Sequence, residues 1–302
     1  MKYYLGVDIG GTSVKIAVVS SEGEIINSTS YSVSYDNYKT PILDSTVDAV
    51  KQYLKDVNYE LEGIGVSATG QIDTNKGEVI GTAGNLPNYV GSKIKERFIK
   101  EFNLHTTVQN DANCMILGEK WIGNHDEHKN IVGITIGTGV GGGIIVDDNI
   151  LLGLKGIAGE VGHFTIKKDG KPCMCGNIGC YEQYASTTAL LNKANEFYNV
   201  NLNGKDFFEK AHNNDQKALE ILDEWIDDIA VGLVTLTHIF NPSLILIGGG
   251  VSLQQELLID PLEKRIRSKI MPRFNDDLTI KACTLKNDAG LVGAVYFHIS
   301  KS

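Results

Sequence analysis

No stretch of the 302-residue sequence approaches the run of about 18 apolar residues that a membrane-crossing helix needs, so no span is expected. The N-terminus has no apolar secretory core either, since Met1-Lys2 leads at once into strand-like residues. Positive charge is in short supply. With 28 Lys and Arg against 37 Asp and Glu the net charge is −9, which gives a nucleic-acid partner no electrostatic support. A nucleotide would need a local anion site instead. Cysteine is scarce: five residues, an odd number, with three of them inside 173–180. That argues against a disulfide framework and for a metal in a reducing compartment, the cytoplasm by default. No linker or low-complexity tract interrupts the chain, so two lobes would have to share a compact interface.

What is present is organised around the crowded cysteines. Cys173, Cys175 and Cys180 follow His163 by ten to seventeen positions. Thiolates and an imidazole are the ligands that zinc prefers, and four of them close a tetrahedral site. Glu160 and Glu182 flank this set, three residues before the histidine and two after the last cysteine. A metal there would hold two carboxylates rigidly on a loop that is otherwise hard to order. All four ligands come from the protein, which leaves no open position for a water nucleophile, so the zinc is expected to be structural.

Glycine supplies the second theme. Residues 3–33 read as three antiparallel strands whose first turn is Gly10-Gly11-Thr12. Glycines let backbone approach phosphate oxygens closely, and Thr12 and Lys15 are placed to donate to them. An ordinary tight turn is the competing reading. A second hairpin of the same kind spans residues 130–147 around Gly137-Thr138-Gly139. Two such hairpins facing one another would clasp a polyphosphate. Between them the pattern predicts a helix over 40–58, a buried strand over 63–67 ending near Gly70, and a helix over 91–102. A strand over 105–109 then delivers Asn110-Asp111 into a helix that runs to Gly123. That pair is either an N-cap or a ligand-binding strand end, since open α/β sheets hold ligands at strand C-termini. Downstream come helices over 186–198, 205–211 and 215–240, the last ended by Pro242, then a strand over 243–247 closed by Gly248-Gly249-Gly250. A helix over 255–271 follows. Finally Asp288 opens a helix with Gly290 and Gly293 at the spacing that permits close helix crossing and suits a hinge.

Bland readings hold for several residues. Cys114 and Cys283 are expected to pack in the core, as are Trp121 and Trp225. His105, His125 and His128 read as solvated, and Asp223, Glu224, Asp227 and Asp228 as a solvated helix face. Asn85 sits in a polar loop, and substrate contact and plain solvation are equally open readings for it.

Five features in this order resemble the ROK family of bacterial sugar kinases, within the actin-like ATPase superfamily. Asp8-Ile9-Gly10-Gly11-Thr12-Ser13-Val14-Lys15 is similar to its first phosphate motif and residues 133–143 to its second. Ile247-Gly248-Gly249-Gly250-Val251 resembles the adenosine motif, and residues 288–294 the connecting helix. Glu160-Val161-Gly162-His163 with Cys-x-Cys-Gly-x-x-Gly-Cys-x-Glu resembles the signature peculiar to the family.

The resemblance implies an α/β, two-lobed actin-like ATPase (duplicated ribonuclease H-like) fold with a zinc loop at 163–180. The smaller lobe is then expected at 1–112 plus 288–302, and the larger at 113–287. It implies ATP with Mg²⁺ and a structural Zn²⁺ held by His163, Cys173, Cys175 and Cys180. Asp111 matches the base that takes the proton from a sugar hydroxyl. Gly70, Asn110, Glu160, His163 and Glu182 match sugar contacts, with Asn85 a further candidate. Asp8 matches the acid that organises Mg²⁺. Gly10, Gly11, Thr12, Lys15, Gly137, Thr138, Gly139, Gly249 and Gly250 match nucleotide contacts. Glucose, phosphorylated at O6, is the expected acceptor, with N-acetylmannosamine, another N-acetylhexosamine or a β-glucoside as runner-up. A homodimer is common in the family. Its sugar-responsive regulators carry a helix-turn-helix ahead of the first phosphate motif, and with Asp8 so near the start that reading is disfavoured.

Overall fold

The computed structural model of the chain describes residues 1–82 and 86–301, so Asn85 lies outside the described residues. In chain order β1 (Tyr3–Ile9), β2 (Ser13–Ser20) and β3 (Ile25–Ser32) precede α1 (Ile42–Leu54), β4 (Leu61–Ala68), β5 (Gln71–Asp73) and β6 (Glu78–Gly81). Then come α2 (Ile94–Phe102), β7 (Thr106–Asn110), α3 (Asp111–Ile122), β8 (Ile131–Ile136), β9 (Val140–Val146) and β10 (Asn149–Ile150). The remainder holds α4 (Glu182–Ala185), α5 (Thr187–Tyr198), α6 (Gly204–His212), α7 (Gln216–Phe240), β11 (Leu244–Gly248), α8 (Asp260–Lys269), β12 (Thr279–Ala282) and α9 (Ala289–Lys301). The chain divides into two compact units, Met1–Glu127 with Ile150–Ala158 and Asn287–Ser302, and His128–Asn149 with Gly159–Lys286.

In the first unit the strand order is β3-β2-β1-β4-β7. β1, β2 and β3 form the expected antiparallel meander, while β4 and β7 run parallel to β1. Alternation along β1 sorts its two faces. Leu5, Val7 and Ile9 join the apolar faces of α1 and α2 in one core, and Tyr4 joins Leu291 and Val295 of α9 on the other side. Glycine makes the second face possible. A Cβ at Gly65 would lie 2.3 Å from the Ala294 carbonyl oxygen, and one at Gly6 would lie 3.2 Å from that of Leu291.

The same device joins α3 to α9. A Cβ on Gly293 would lie 1.7 Å from the Cys114 carbonyl oxygen, and one on Gly118 would lie 2.3 Å from that of Ala289. This packing corrects the boundary expected after residue 112, because all of α3 belongs with the first unit. The short return at Ile150–Ala158 docks there too: Thr74 N–H donates to the Lys155 carbonyl at 3.2 Å.

The second unit repeats the plan with the order β10-β9-β8-β11-β12. β8 and β9 are antiparallel, and β11 and β12 run parallel to β8. Matching strand orders make the duplication plain. α7 buries Ile221, Trp225, Ile229, Leu233 and Leu236 along one stripe. Its acidic face is not merely solvated as expected. Asp223 and Asp227 pair with Arg265, Asp227 also with Lys269 of α8, Glu224 with Lys193 of α5, and Asp228 with Lys167.

Other expectations change in detail. α7 stops because Asn241 turns left-handed at φ 44°, one residue before Pro242. Residues 255–259 form a π turn, so α8 begins at Asp260. The β5–β6 hairpin was not anticipated, since strands this short carry little alternation. His125 is buried at 3 % exposure, so it is not solvated as expected, while the half-buried His128 has its Nδ1 3.0 Å from Ser243 Oγ. Cys114, Cys283 and Trp225 are buried as expected.

Gly293→Ala tests the helix contact. Alanine improves helix propensity by about 1 kcal/mol, but a methyl driven into a backbone oxygen cannot be relieved by a rotamer change. Denaturant unfolding of Gly293→Ala is expected to show a net loss of about 2 kcal/mol.

Candidate functional site

The C-terminal ends of β1, β4 and β7 bring polar residues together in the first unit. Strand register pairs Asp8 with Ser67, Ile9 with Ala68, and Ala68 with Asn110. Ser67 Oγ donates to Asp8 Oδ1 at 2.5 Å. Burial raises the Asp8 carboxyl above its ordinary range, with the Ser67 hydrogen bond and the Lys15 charge pulling the other way. Lys15 itself is held by an ion pair with Asp288, and its ammonium also reaches the Asn287 carbonyl at 3.4 Å. In the glycine turn, Gly10 N–H donates to the Ser13 carbonyl at 2.9 Å, and Thr12 is exposed.

Asn110 is the N-cap of α3. Its Oδ1 accepts from the N–H groups of Ala112 and Asn113 at 3.0 and 3.2 Å. Its Nδ2 donates to the Gly70 carbonyl at 2.9 Å and to Asp111 Oδ1 at 3.0 Å. Gly70 adopts φ 94°, and a Cβ there would lie 2.7 Å from the Gly81 carbonyl oxygen. Asp111 is therefore the first helical residue rather than the cap. Its Oδ1 also accepts from Ala112 N–H at 2.8 Å, at the helix end where negative charge is favoured. Behind them Gln109 Oε1 accepts from Asn110 N–H at 2.7 Å and from Asn113 Nδ2 at 3.1 Å.

In the second unit Glu182 is tied to the second glycine turn. Its Oε2 accepts from Val140 N–H at 3.1 Å, and a Cβ on Gly139 would lie 2.2 Å from that oxygen. The turn is braced further by Thr188 Oγ1, which donates to the Thr138 carbonyl at 2.7 Å, and by Thr187 N–H, which donates to that of Gly137 at 2.9 Å. Glu160 is exposed and precedes a 3₁₀ turn at Val161–His163. That turn lies against β9, since a Cβ on Gly162 would lie 2.2 Å from the Val140 carbonyl oxygen. Gly249 adopts φ 93° against Ile136, whereas a Cβ on Gly250 would meet open space.

His163, Cys173, Cys175 and Cys180 come together, with their ligand atoms all within 4.8 Å of one another. Cys173 Sγ is 3.6 Å from His163 Nδ1, and Cys175 Sγ is 3.5 Å from Cys180 Sγ. Zn–N bonds of about 2.1 Å and Zn–S bonds of about 2.3 Å at tetrahedral angles place N and S about 3.6 Å apart and two sulfurs about 3.8 Å apart. The donor set and its spacing thus fit zinc. Burial pushes the Cys180 thiol up to about 12, while backbone donation at Asn177 lowers that of Cys175. A bound cation would override the first shift and reinforce the second by favouring the thiolates. Gln183 Nε2 donates to Cys173 Sγ at 3.6 Å, a supporting contact that sequence reasoning missed along with Ser67 and Gln109.

The chain matches the ROK family over residues 4–301. It belongs to that family. A glucokinase of Halalkalibacterium halodurans is 35 % identical over 97 % of this chain and 93 % of its own length. The xylose repressor of Bacillus spizizenii is 28 % identical over 96 % of this chain and 75 % of its own length. Among solved structures, the ROK family glucokinase of Streptomyces griseus in complex with glucose and AMPPNP is 31 % identical. It covers 97 % of both chains with a TM-score of 0.82. The fold is accordingly that of the ROK actin-like ATPases, as the motifs implied. Among the described residues no helix is long and apolar enough to cross a membrane.

Metal analysis of the purified protein is expected to return one zinc per chain. Cys175→Ser is expected to lose the metal and to make the 164–181 loop the first site of limited proteolysis, because zinc binding contributes directly to local folding.

Proposed function

We propose that this ROK protein is an ATP-dependent sugar kinase that transfers the γ-phosphate of ATP to a hexose hydroxyl, with glucose O6 as the acceptor. The observation that carries the reading is the β7–α3 junction. Asn110 is committed to the Gly70 carbonyl and the helix cap, which leaves Asp111 presented from a rigid helix start at the C-terminal edge of the sheet. A carboxylate so fixed suits a general base.

In this reading Asp111 accepts the proton as the sugar O–H bond breaks, the oxygen forms its bond to the γ-phosphorus, and the bond from that phosphorus to the β–γ bridging oxygen breaks to release ADP. Glu160, His163 and Glu182, with the Gly70 backbone, hold the sugar hydroxyls, because a carboxylate accepts from an alcohol; Asn110 joins them only by giving up one of its own bonds to Gly70, Asp111 or the helix cap. His163 would use Nδ1 for the metal and its other nitrogen for the sugar. Gly10, Gly11, Thr12, Lys15, Gly137, Thr138, Gly139, Gly249 and Gly250 take the nucleotide. Asp8 would hold the water shell of Mg²⁺, which when bound neutralises phosphate charge. Catalysis then rests on positioning more than on covalent help.

The glucokinase relatives support glucose over the alternative acceptors, an N-acetylhexosamine such as N-acetylmannosamine or a β-glucoside. The repressor relative favours a second reading, a sugar-responsive regulator, in which sugar binds without turnover. A cytoplasmic homodimer fits the kinase reading.

A coupled assay of ADP release over about a dozen sugars separates these possibilities. Glucose-dependent turnover is expected, and Asp111→Asn is expected to lower it by about 10²–10⁴-fold while leaving the unfolding curve in place. ADP release that ignores added sugar would overturn the kinase reading. Glucose binding by calorimetry with no turnover would favour the regulator.

A further inference from the structure

One buried amide beside the proposed base is not explained by core packing. Gln109, which precedes Asn110 in β7, is 0 % exposed, and Asn113 in the first turn of α3 is 1 % exposed. Strand register pairs Gln109 with Ser67 and Ser67 with Asp8, so the three side chains leave the same face of the sheet. Only part of this polar chemistry is satisfied. Gln109 Nε2 and Asn113 Oδ1 are buried with no hydrogen-bond partner among the described residues. A half-satisfied amide costs stability that an apolar side chain of the same length would avoid. The reason for an amide here therefore lies at its other end.

That end completes the cap of α3. In a capping box the N-cap side chain takes the N–H of the third helical residue, whose Glu or Gln side chain reaches back to the N-cap N–H. The first leg is present, since Asn110 Oδ1 accepts from Asn113 N–H at 3.2 Å. The return leg is not, because the third helical position holds asparagine, one methylene shorter than glutamine. Gln109 supplies it from the strand side instead. Its Oε1 accepts from Asn110 N–H at 2.7 Å and from Asn113 Nδ2 at 3.1 Å, so one oxygen ties the N-cap backbone to the first turn. Asp111 lies between the two tied residues, and its Oδ1 takes the Asn110 amide at 3.0 Å and Ala112 N–H at 2.8 Å. A shift of Asn110 therefore carries Asp111 with it.

We propose that Gln109 is a positioning residue for phosphoryl transfer: its Oε1 fixes the turn from Asn110 to Asn113 and, through it, the direction of the Asp111 carboxylate. The inference rests on the reading of Asp111 as the base. Gln109 itself moves no proton and touches no substrate. A slightly displaced base still lets sugar and nucleotide bind, but it lowers the fraction of complexes aligned for attack. The effect therefore falls on kcat and not on KM.

Gln109→Met, assayed with glucose and MgATP, is the test, since methionine matches glutamine in length and brings no comparable acceptor. Its kcat is expected to fall about tenfold with both KM values within about twofold, in protein whose unfolding curve shows it folded at the assay temperature. Gln109→Asn, which withdraws the amide by one methylene, is expected to show the same split and carries the test if the methionine variant does not fold. Combining the Gln109 variant with Asp111→Asn isolates the route. An amide that acts through the base changes the residual turnover of Asp111→Asn by less than about twofold. A further tenfold fall there marks general damage and overturns the proposal. Unchanged kcat in either folded Gln109 variant overturns it as well, whatever KM does. The two readings fail separately. A slow Asp111→Asn beside a normal Gln109→Met removes only the glutamine proposal, whereas an Asp111→Asn protein that turns over normally removes the reading of the base.

Discussion

The side-chain amide of Asn110 is the constraint on which the first unit's site depends. One oxygen caps α3 through two backbone N–H groups, and the nitrogen reaches back to the Gly70 carbonyl beyond the end of β4. Three elements are thereby locked at one point. Asp111 inherits its position from this lock, since its own carboxylate oxygen is fixed by Ala112 N–H and by the Asn110 amide. An aspartate in place of Asn110 could still cap the helix, but it would have no N–H to offer Gly70 and would add a second charge beside Asp111. The identity of the cap and the placement of the neighbouring carboxylate are therefore one requirement.

Glycine performs the corresponding service at longer range. At Gly65, Gly118 and Gly293 the missing Cβ lets α9 lie against β4 and α3 at backbone distance. The start of α9 is thereby brought up to Asp8, where a Cβ on Gly290 would lie 3.1 Å from the carboxylate. Helix starts favour negative charge, so this placement offsets part of the cost of burying Asp8. In the second unit Gly139, Gly142 and Gly162 bring the 160–163 turn and Glu182 onto the β8–β9 hairpin in the same manner. Both units thus reach this geometry by removing side chains, not by adding contacts.

This explains what was legible in the sequence. The meander of β1 to β3, the β7–α3 junction and the β8–β9 hairpin could be read because alternation ends abruptly at Gly10-Gly11, Asn110-Asp111 and Gly137-Thr138-Gly139. The Cys₃His set was legible because few other structures crowd three cysteines into eight residues. Partners far apart in the chain were not legible. Ser67 of β4 gives no local sign that it will meet Asp8 of β1. His125 reads as polar and exposed, yet it is buried, since nothing in its neighbours marks the loop as covered. The unit boundary was misplaced for the same reason: the fit of Gly293 against Cys114 is a tertiary fact with no local signature.

The charges of the first unit form a closed account around Asp8. Its burial penalty is relieved by Ser67 and by Lys15, but Lys15 is also committed to Asp288 at the entry to α9. Two carboxylates therefore draw on one ammonium, and full ionisation of both would leave an excess of negative charge. A divalent cation suits such a surplus better than a second lysine would. It would tolerate water between itself and Asp8. Lys15→Met would consequently disturb Asp8 and Asp288 together, where Lys15→Arg would keep the charge but not the compact ammonium geometry. How that negative charge is screened is a local matter, which the acidic composition of the chain as a whole does nothing to decide.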